Sequence, residues 1–117
     1  MIDEECPPNI RSELIDKCRR SHCRTAEFKP NAPTDWRPTS VTDPRDPDGR
    51  PFSDFTAWDF IAEQLEAGAR VEVMLLTKPP GKKGYVIKIP TAAGVIYIKL
   101  QLTPPGVKGR SFHYSYY

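Results

Sequence analysis

The segment "GVIYIKLQLTPPGVKGRSFHYSYY" (94–117) sets Lys99, Gln101, Arg110, Ser111 and His113 among apolar residues. Cations held against an apolar background can offset negative charge that builds on the non-bridging oxygens of a phosphodiester. Lys99 suits that task, with Lys88 in the preceding apolar run and Arg110 at the rim. Attack by a 2′-hydroxyl also needs a proton moved near neutral pH, for which histidine is the best-suited side chain. His113 is the histidine of the C-terminal half. Gln101 and Ser111 can hold a phosphate or a base edge, and Tyr97 or Tyr114 can stack an unpaired base. Each residue also has an ordinary reading. Lysines on an open sheet face are commonly just solvated, and a histidine in a strand is more often a structural donor than a catalyst.

The charge distribution favours a polyanionic partner. Residues 1–68 hold nine Lys/Arg against fourteen Asp/Glu, whereas residues 69–117 hold eight Lys/Arg against Glu72 alone. A strongly basic half suggests contact with nucleic acid or an acidic protein. The loops "TKPPGKKG" (77–84) and "TPPGVKG" (103–109) add Lys82, Lys83 and Lys108 to that half. No apolar run approaches the roughly 18 residues of a membrane span, and the acidic N-terminus is unlike a signal peptide. Three cysteines, an odd number, fit a reducing compartment. The expected location is the cytoplasm, with no membrane partner.

At 117 residues the chain can build one modest core. Period-two alternation predicts strands over 70–76, 85–89, 95–102 and 110–117, joined by short loops as an antiparallel meander. A clear helix is expected over 56–67: Ser53 or Thr56 caps it, Trp58, Ile61, Ala62 and Leu65 form its stripe, and Gly68 ends it. A weaker helix over 8–23 carries Ile10, Leu14 and Cys18. Residues 24–51 read as a linker or arm, because six of the 13 prolines fall in 30–51 and "DPRDPDGRP" (43–51) has no apolar residue. The expected architecture is α+β: an antiparallel sheet of about four strands packed by one or two helices. A helix and Pro-rich irregular arm (1–51) precede a compact core (52–117).

Side chains alternate across a strand. In 95–102 this puts Ile96, Ile98, Leu100 and Leu102 on the core face, and Tyr97, Lys99 and Gln101 on the other. With Phe112 and Tyr114 in the core, Ser111 and His113 join Lys88, Tyr97, Lys99 and Gln101 on one basic, open face. A one-residue slip of the last strand would replace His113 with Arg110 and the tyrosines.

The stretches "GYVIKI", "IYIKLQL" and "GRSFHYS", with Trp58 early in a helix, resemble the C-terminal half of small bacterial toxins of type II toxin–antitoxin systems. The similarity is to the MqsR type, which shares a compact α+β fold with barnase/RelE-like ribonucleases, and it covers roughly residues 52–117. The resemblance implies metal-independent cleavage of mRNA, without a cofactor, restrained by a cognate antitoxin protein. It places Lys99, Tyr97, Arg110 and His113 as candidate catalytic residues. Lys82, Lys83, Lys88, Gln101, Lys108, Ser111 and Tyr114 are then candidates for holding RNA.

Other readings stay open. Cys6, Cys18, His22 and Cys23 could ligate zinc, but Cys18-x4-Cys23 is at the long end of the usual paired spacing, Cys6 stands eleven residues away and His22 is adjacent to Cys23, so free thiols are expected. The basic sheet could dock nucleic acid or an acidic chain without catalysis. The acidic half could instead be the working surface of an inhibitor or immunity-type protein. The acidic stretch 43–54 is expected either as a plain linker or as a mobile arm that folds over the basic sheet.

Overall fold

The computed structural model describes residues 4–26, 35–76, 81–103 and 106–115. In chain order the elements are β1 (Glu4–Glu5), α1 (Pro8–Arg19), β2 (Arg24–Ala26), β3 (Asp35–Trp36), α2 (Asp54–Glu66), β4 (Glu72–Leu75), β5 (Lys83–Thr91), β6 (Gly94–Thr103) and β7 (Gly106–Tyr114). Residues 116–117 of the expected last strand, 77–80 and 104–105 of the two loops, and 27–34 of the arm lie outside the described residues.

α2 follows its sequence signals closely. Ser53 is the cap: its hydroxyl accepts from the Thr56 N–H at 3.1 Å, and the Thr56 hydroxyl accepts from the Ser53 N–H at 2.8 Å. Asp54 in the first turn complements the helix dipole. Gly68, at φ +92°, takes the left-handed conformation beyond the C-terminus. The buried face is wider than the expected stripe, adding Ala57 and Phe60 to Trp58, Ile61, Ala62 and Leu65. α1 has Pro8 in its first turn and buries Leu14 and Cys18, but ends at Arg19, four residues short of the expected end. Polar bonds supplement its thin stripe: Arg11 donates to the Leu65 carbonyl at 3.0 Å, and Arg19 pairs with Asp59 and Glu66.

The four predicted strands are present and pair antiparallel as β4-β5-β6-β7. The sheet is nevertheless mixed, and this corrects the four-stranded antiparallel expectation. β1 adds antiparallel to β4, while β2 and β3 both pair parallel with β7, the first along Val107–Gly109 and the second along Ser111–Phe112. Among the described residues the sheet therefore has seven strands. One face packs on the helices: Ile87, Ile96, Ile98, Leu100, Val107 and Phe112 join Trp58, Ile61 and Leu65 in a single core. Each such fully buried side chain contributes about 1.5–3 kcal/mol of hydrophobic stabilisation.

Residues expected as an arm also enter this core. Trp36 is buried beside Trp58 and Phe112, with ring centroids 4.9 and 5.5 Å away, and its indole N–H donates to Asp54 at 2.8 Å. Its ring lies over Gly109, where a Cβ would run into it. The expected outcome for Gly109→Ala is a loss of about 1–3 kcal/mol from overpacking, read as a lower urea midpoint at unchanged m-value.

Residues 41–52 are equally ordered. Val41 and Phe52 anchor the ends in the core, the Phe52 N–H donates to the Val41 carbonyl, and the Asp43 N–H donates to the Arg50 carbonyl. Arg45 binds Asp43, Asp59 and Glu63 together. Burial alone would raise the Asp43 carboxyl, but the Arg45 hydrogen bonds hold it below the usual range. The expected arm over the basic sheet is thus not what forms, because its apolar ends and Arg45 tie it to the helix layer.

Candidate functional site

The face of β5, β6 and β7 that points away from the helices gathers most of the sequence candidates. Cross-strand pairing sets them in rows. Lys88 faces Tyr97, and Tyr97 faces His113. Glu72 faces Val86, Val86 faces Lys99, and Lys99 faces Ser111. Gln101 faces Lys108.

A β-bulge adds Arg110 to this set. Lys99 pairs with Ser111, whereas the next residue, Leu100, pairs with Gly109, leaving Arg110 as the extra residue of β7. Ordinary alternation would put residues 109 and 112 on opposite faces. The inserted residue lets Gly109 lie under Trp36 and Phe112 fill the core, both on the helix side. Arg110 and Ser111 consequently both turn to the other face. The choice between His113 and Arg110 that the sequence posed does not arise, since the face carries both. Arg110 Nη1 donates to Gln101 Oε1 at 3.0 Å.

The face is not the solvated surface the alternation suggested. Arg110 and Ser111 are each 5% exposed and Gln101 7%, although none belongs to the main core. Burial, and then the charge of Arg110, lowers the Lys99 pKa from its ordinary 10.5. Burial, and then the charge of Glu72, raises that of Tyr97. Two neighbouring cations held partly out of water make a favourable place for an anion.

His113 lies against Tyr97, ring centroids 5.4 Å apart and planes 23° from parallel. Its Nδ1 is 2.8 Å from the Tyr114 carbonyl oxygen. A carbonyl only accepts, so Nδ1 carries the proton of the neutral ring and the lone pair sits on Nε2.

Lys88, Tyr97, Lys99, Gln101, Lys108, Arg110, Ser111 and His113 thus share one face. Tyr114 does not. It packs against the core on the helix side, and its hydroxyl accepts from the Thr42 N–H at 3.0 Å. Lys83 pairs with Leu75 on the core-side register, and Lys82 sits at the hairpin end. Sequence reasoning did not assign Glu72, Leu76 and Val86 to this face. Glu72 was legible from the alternation in "RVEVMLL". Leu76 was not: it folds over Gly84, where a Cβ would come within 2.8 Å of its methyl carbon.

On the helix side a groove of about 570 Å³ runs between the 42–46 loop and the 89–93 turn, lined in part by Asp43 and Asp46. Those carboxylates suit an anion poorly. Among the described residues no three His, Cys, Asp or Glu side chains converge to hold a metal ion, and no helix is long and apolar enough to cross a membrane. Cys6 and Cys18 are buried free thiols, and burial pushes the Cys18 thiol up to about 12.

Comparison with protein-family models, with curated proteins and with solved structures finds no match to this chain. The functional reading therefore rests on the residues themselves.

Proposed function

We propose that the chain is a metal-independent endoribonuclease acting on single-stranded RNA, the toxin member of a cytoplasmic toxin–antitoxin pair. The observation that carries the reading is the bulge at Arg110. It sets a cation pair, Lys99 and Arg110, on the same face as His113, with Tyr97 stacked on the histidine. A scissile phosphate seated between Lys99 and Arg110 gains charge compensation as its non-bridging oxygens take up negative charge. His113 Nε2 accepts the 2′-hydroxyl proton while that oxygen attacks phosphorus. The P–O5′ bond breaks, and the leaving oxygen takes a proton from Lys99. The products are a 2′,3′-cyclic phosphate and a 5′-hydroxyl end, and both side chains recover their protonation from water. Partial burial makes Lys99 a better acid than a solvated lysine, which favours this role. Lys88 and Lys108, at the ends of the rows, offer charge along the strand.

The test is incubation of purified protein with a single-stranded RNA in EDTA. Cleavage leaving 2′,3′-cyclic phosphate ends is the expected result. Intact RNA held in a tight, salt-sensitive complex would make the face a non-catalytic binding module instead. A protein that neither cuts nor binds RNA overturns the reading. For the toxin assignment, expression in bacteria is expected to arrest growth and co-expression of the neighbouring gene product to relieve it; unaffected growth counts against it.

A further inference from the structure

On the helix side of the sheet, away from the basic face, an aromatic ring stands in solvent beside a cation. We infer that the pocket beside Phe55 captures the C-terminal carboxylate of a partner protein. Arg24 meets the carboxylate, and the Phe55 ring takes the apolar side chain of the partner's last residue.

Arg24 opens β2 opposite Val107, a core residue, so it lies on the other face from Lys99 and Gln101. Its guanidinium carbon sits 5.1 Å from the Phe55 ring centroid and 5.9 Å from that of Trp58. Nη1 donates to the Cys18 carbonyl, near the end of α1, at 2.7 Å. Two rings and a carbonyl thus aim the group and leave its charge in place. Among the described residues no carboxylate pairs with it, and one bond to a carbonyl does not exhaust a group with five N–H donors. Phe55 is the most exposed of the large apolar side chains described, at 68%. It lies on the flank of α2 rather than among Trp58, Ile61 and Leu65, and folding leaves most of its apolar area in water.

These two residues, with Ser21, Arg19 and Asp59, line a pocket of about 300 Å³ beside Cys18. Asp59 is bound by Arg19 and Arg45, and Arg19 also by Glu66, so Arg24 is the cation of the pocket that lacks a counter-charge. Charge and size then select the occupant. α2 carries Asp54, Asp59, Glu63 and Glu66 and no lysine or arginine. A run of phosphates crossing this face meets repulsion, whereas a single carboxylate meets Arg24. A helix is about 10–12 Å across with its side chains and does not enter a pocket of this size. A chain-terminal residue does. Its carboxylate and its side chain leave the same Cα, which suits a cation lying 5.1 Å from a ring centroid.

Nuclear magnetic resonance of the full-length protein tests this, reading the Arg24 Nε–Hε and Phe55 ring signals. The probes are N-acetyl-leucine, its amide, acetate, and a short Gly/Ser peptide ending in leucine, as free acid and as C-terminal amide. Saturable shifts are expected with N-acetyl-leucine and with the free-acid peptide. Affinity is expected to be about tenfold weaker for either amide, which loses the charge-assisted hydrogen bond, and about tenfold weaker for acetate, which loses the apolar contact. Phe55→Ala is expected to weaken the free-acid peptide about tenfold at an unchanged melting temperature, because that ring is already in water. Acid and amide binding equally, acetate matching N-acetyl-leucine, or no shift with any probe overturns the inference. N-acetyl-leucine binding while the free-acid peptide does not makes this a small-molecule site and overturns it as well. So does a single-stranded RNA oligonucleotide that shifts the same signals as strongly.

Discussion

Replacing His113 with alanine is expected to reduce RNA cleavage by about two to four orders of magnitude, the usual range for removing a general base. RNA affinity is expected to stay within a few-fold of wild type. The split follows from geometry. Nδ1 lies 2.8 Å from the Tyr114 carbonyl, so on the proposed reading the chemistry would fall to Nε2, and the anion would be met by Lys99 and Arg110 rather than by the histidine. The fold is expected to persist, because His113 is half-buried at the sheet surface and the described contacts it would lose are the Nδ1 bond to the Tyr114 carbonyl and the ring contact with Tyr97. Together these are about 1–2 kcal/mol. Circular dichroism and filter binding report fold and affinity, and labelled RNA reports cleavage. Added imidazole is expected to restore part of the rate by occupying the space left. Cleavage that falls only in step with affinity, or does not fall, would remove His113 from the reaction.

Lys99→Met is expected to move stability and activity in opposite directions. Methionine keeps the apolar stem and discards the ammonium. Cleavage is expected to fall by about 10²–10³, as for other losses of charge stabilisation at the reacting oxygens. Thermal stability is expected to rise by a few degrees. The sign comes from proton linkage: folding lowers the Lys99 pKa below its ordinary 10.5, through burial first and Arg110 second. Between the folded and the unfolded values the unfolded chain binds more protons, so stability increases with pH in that window. Below it, protonated Lys99 is a standing cost to the fold. The stability advantage of the methionine variant is therefore greatest near neutral pH and shrinks toward pH 10.5. Melting curves across that range test this directly. A variant less stable at pH 7 would show that Lys99 is held by attractive contacts rather than tolerated for its charge.

Much of the site can be read from residue order alone. Alternation in "VIYIKLQL" assigns Tyr97, Lys99 and Gln101 to one face and Ile96, Ile98 and Leu100 to the other, and the backbone follows it. Period two works here because an apolar core on one side penalises any slip of the whole strand. Ser53 and Gly68 mark the ends of α2 because a side-chain acceptor and a left-handed backbone are local requirements. The same logic read "DPRDPDGRP" as loose. That reading went wrong because the order of this stretch comes from Val41 and Phe52 at its ends and from Arg45 reaching Asp59 and Glu63 on α2.

Residue order by itself determined the α+β class, a helix expected over 56–67 and found over 54–66, four antiparallel strands and the grouping of Lys88, Tyr97, Lys99 and His113, since each depends on periodicity or local backbone chemistry. Only the tertiary structure decided the mixed edge of the sheet, the ordering of residues 35–51 and the place of Arg110. The bulge that turns Arg110 toward Gln101 requires Gly109 at a core position, where glycine has no side chain to announce burial. What fills that position is the ring of Trp36, a residue far away in sequence. Contacts between distant segments leave no periodic trace in the chain, and it is such a contact that completes the site.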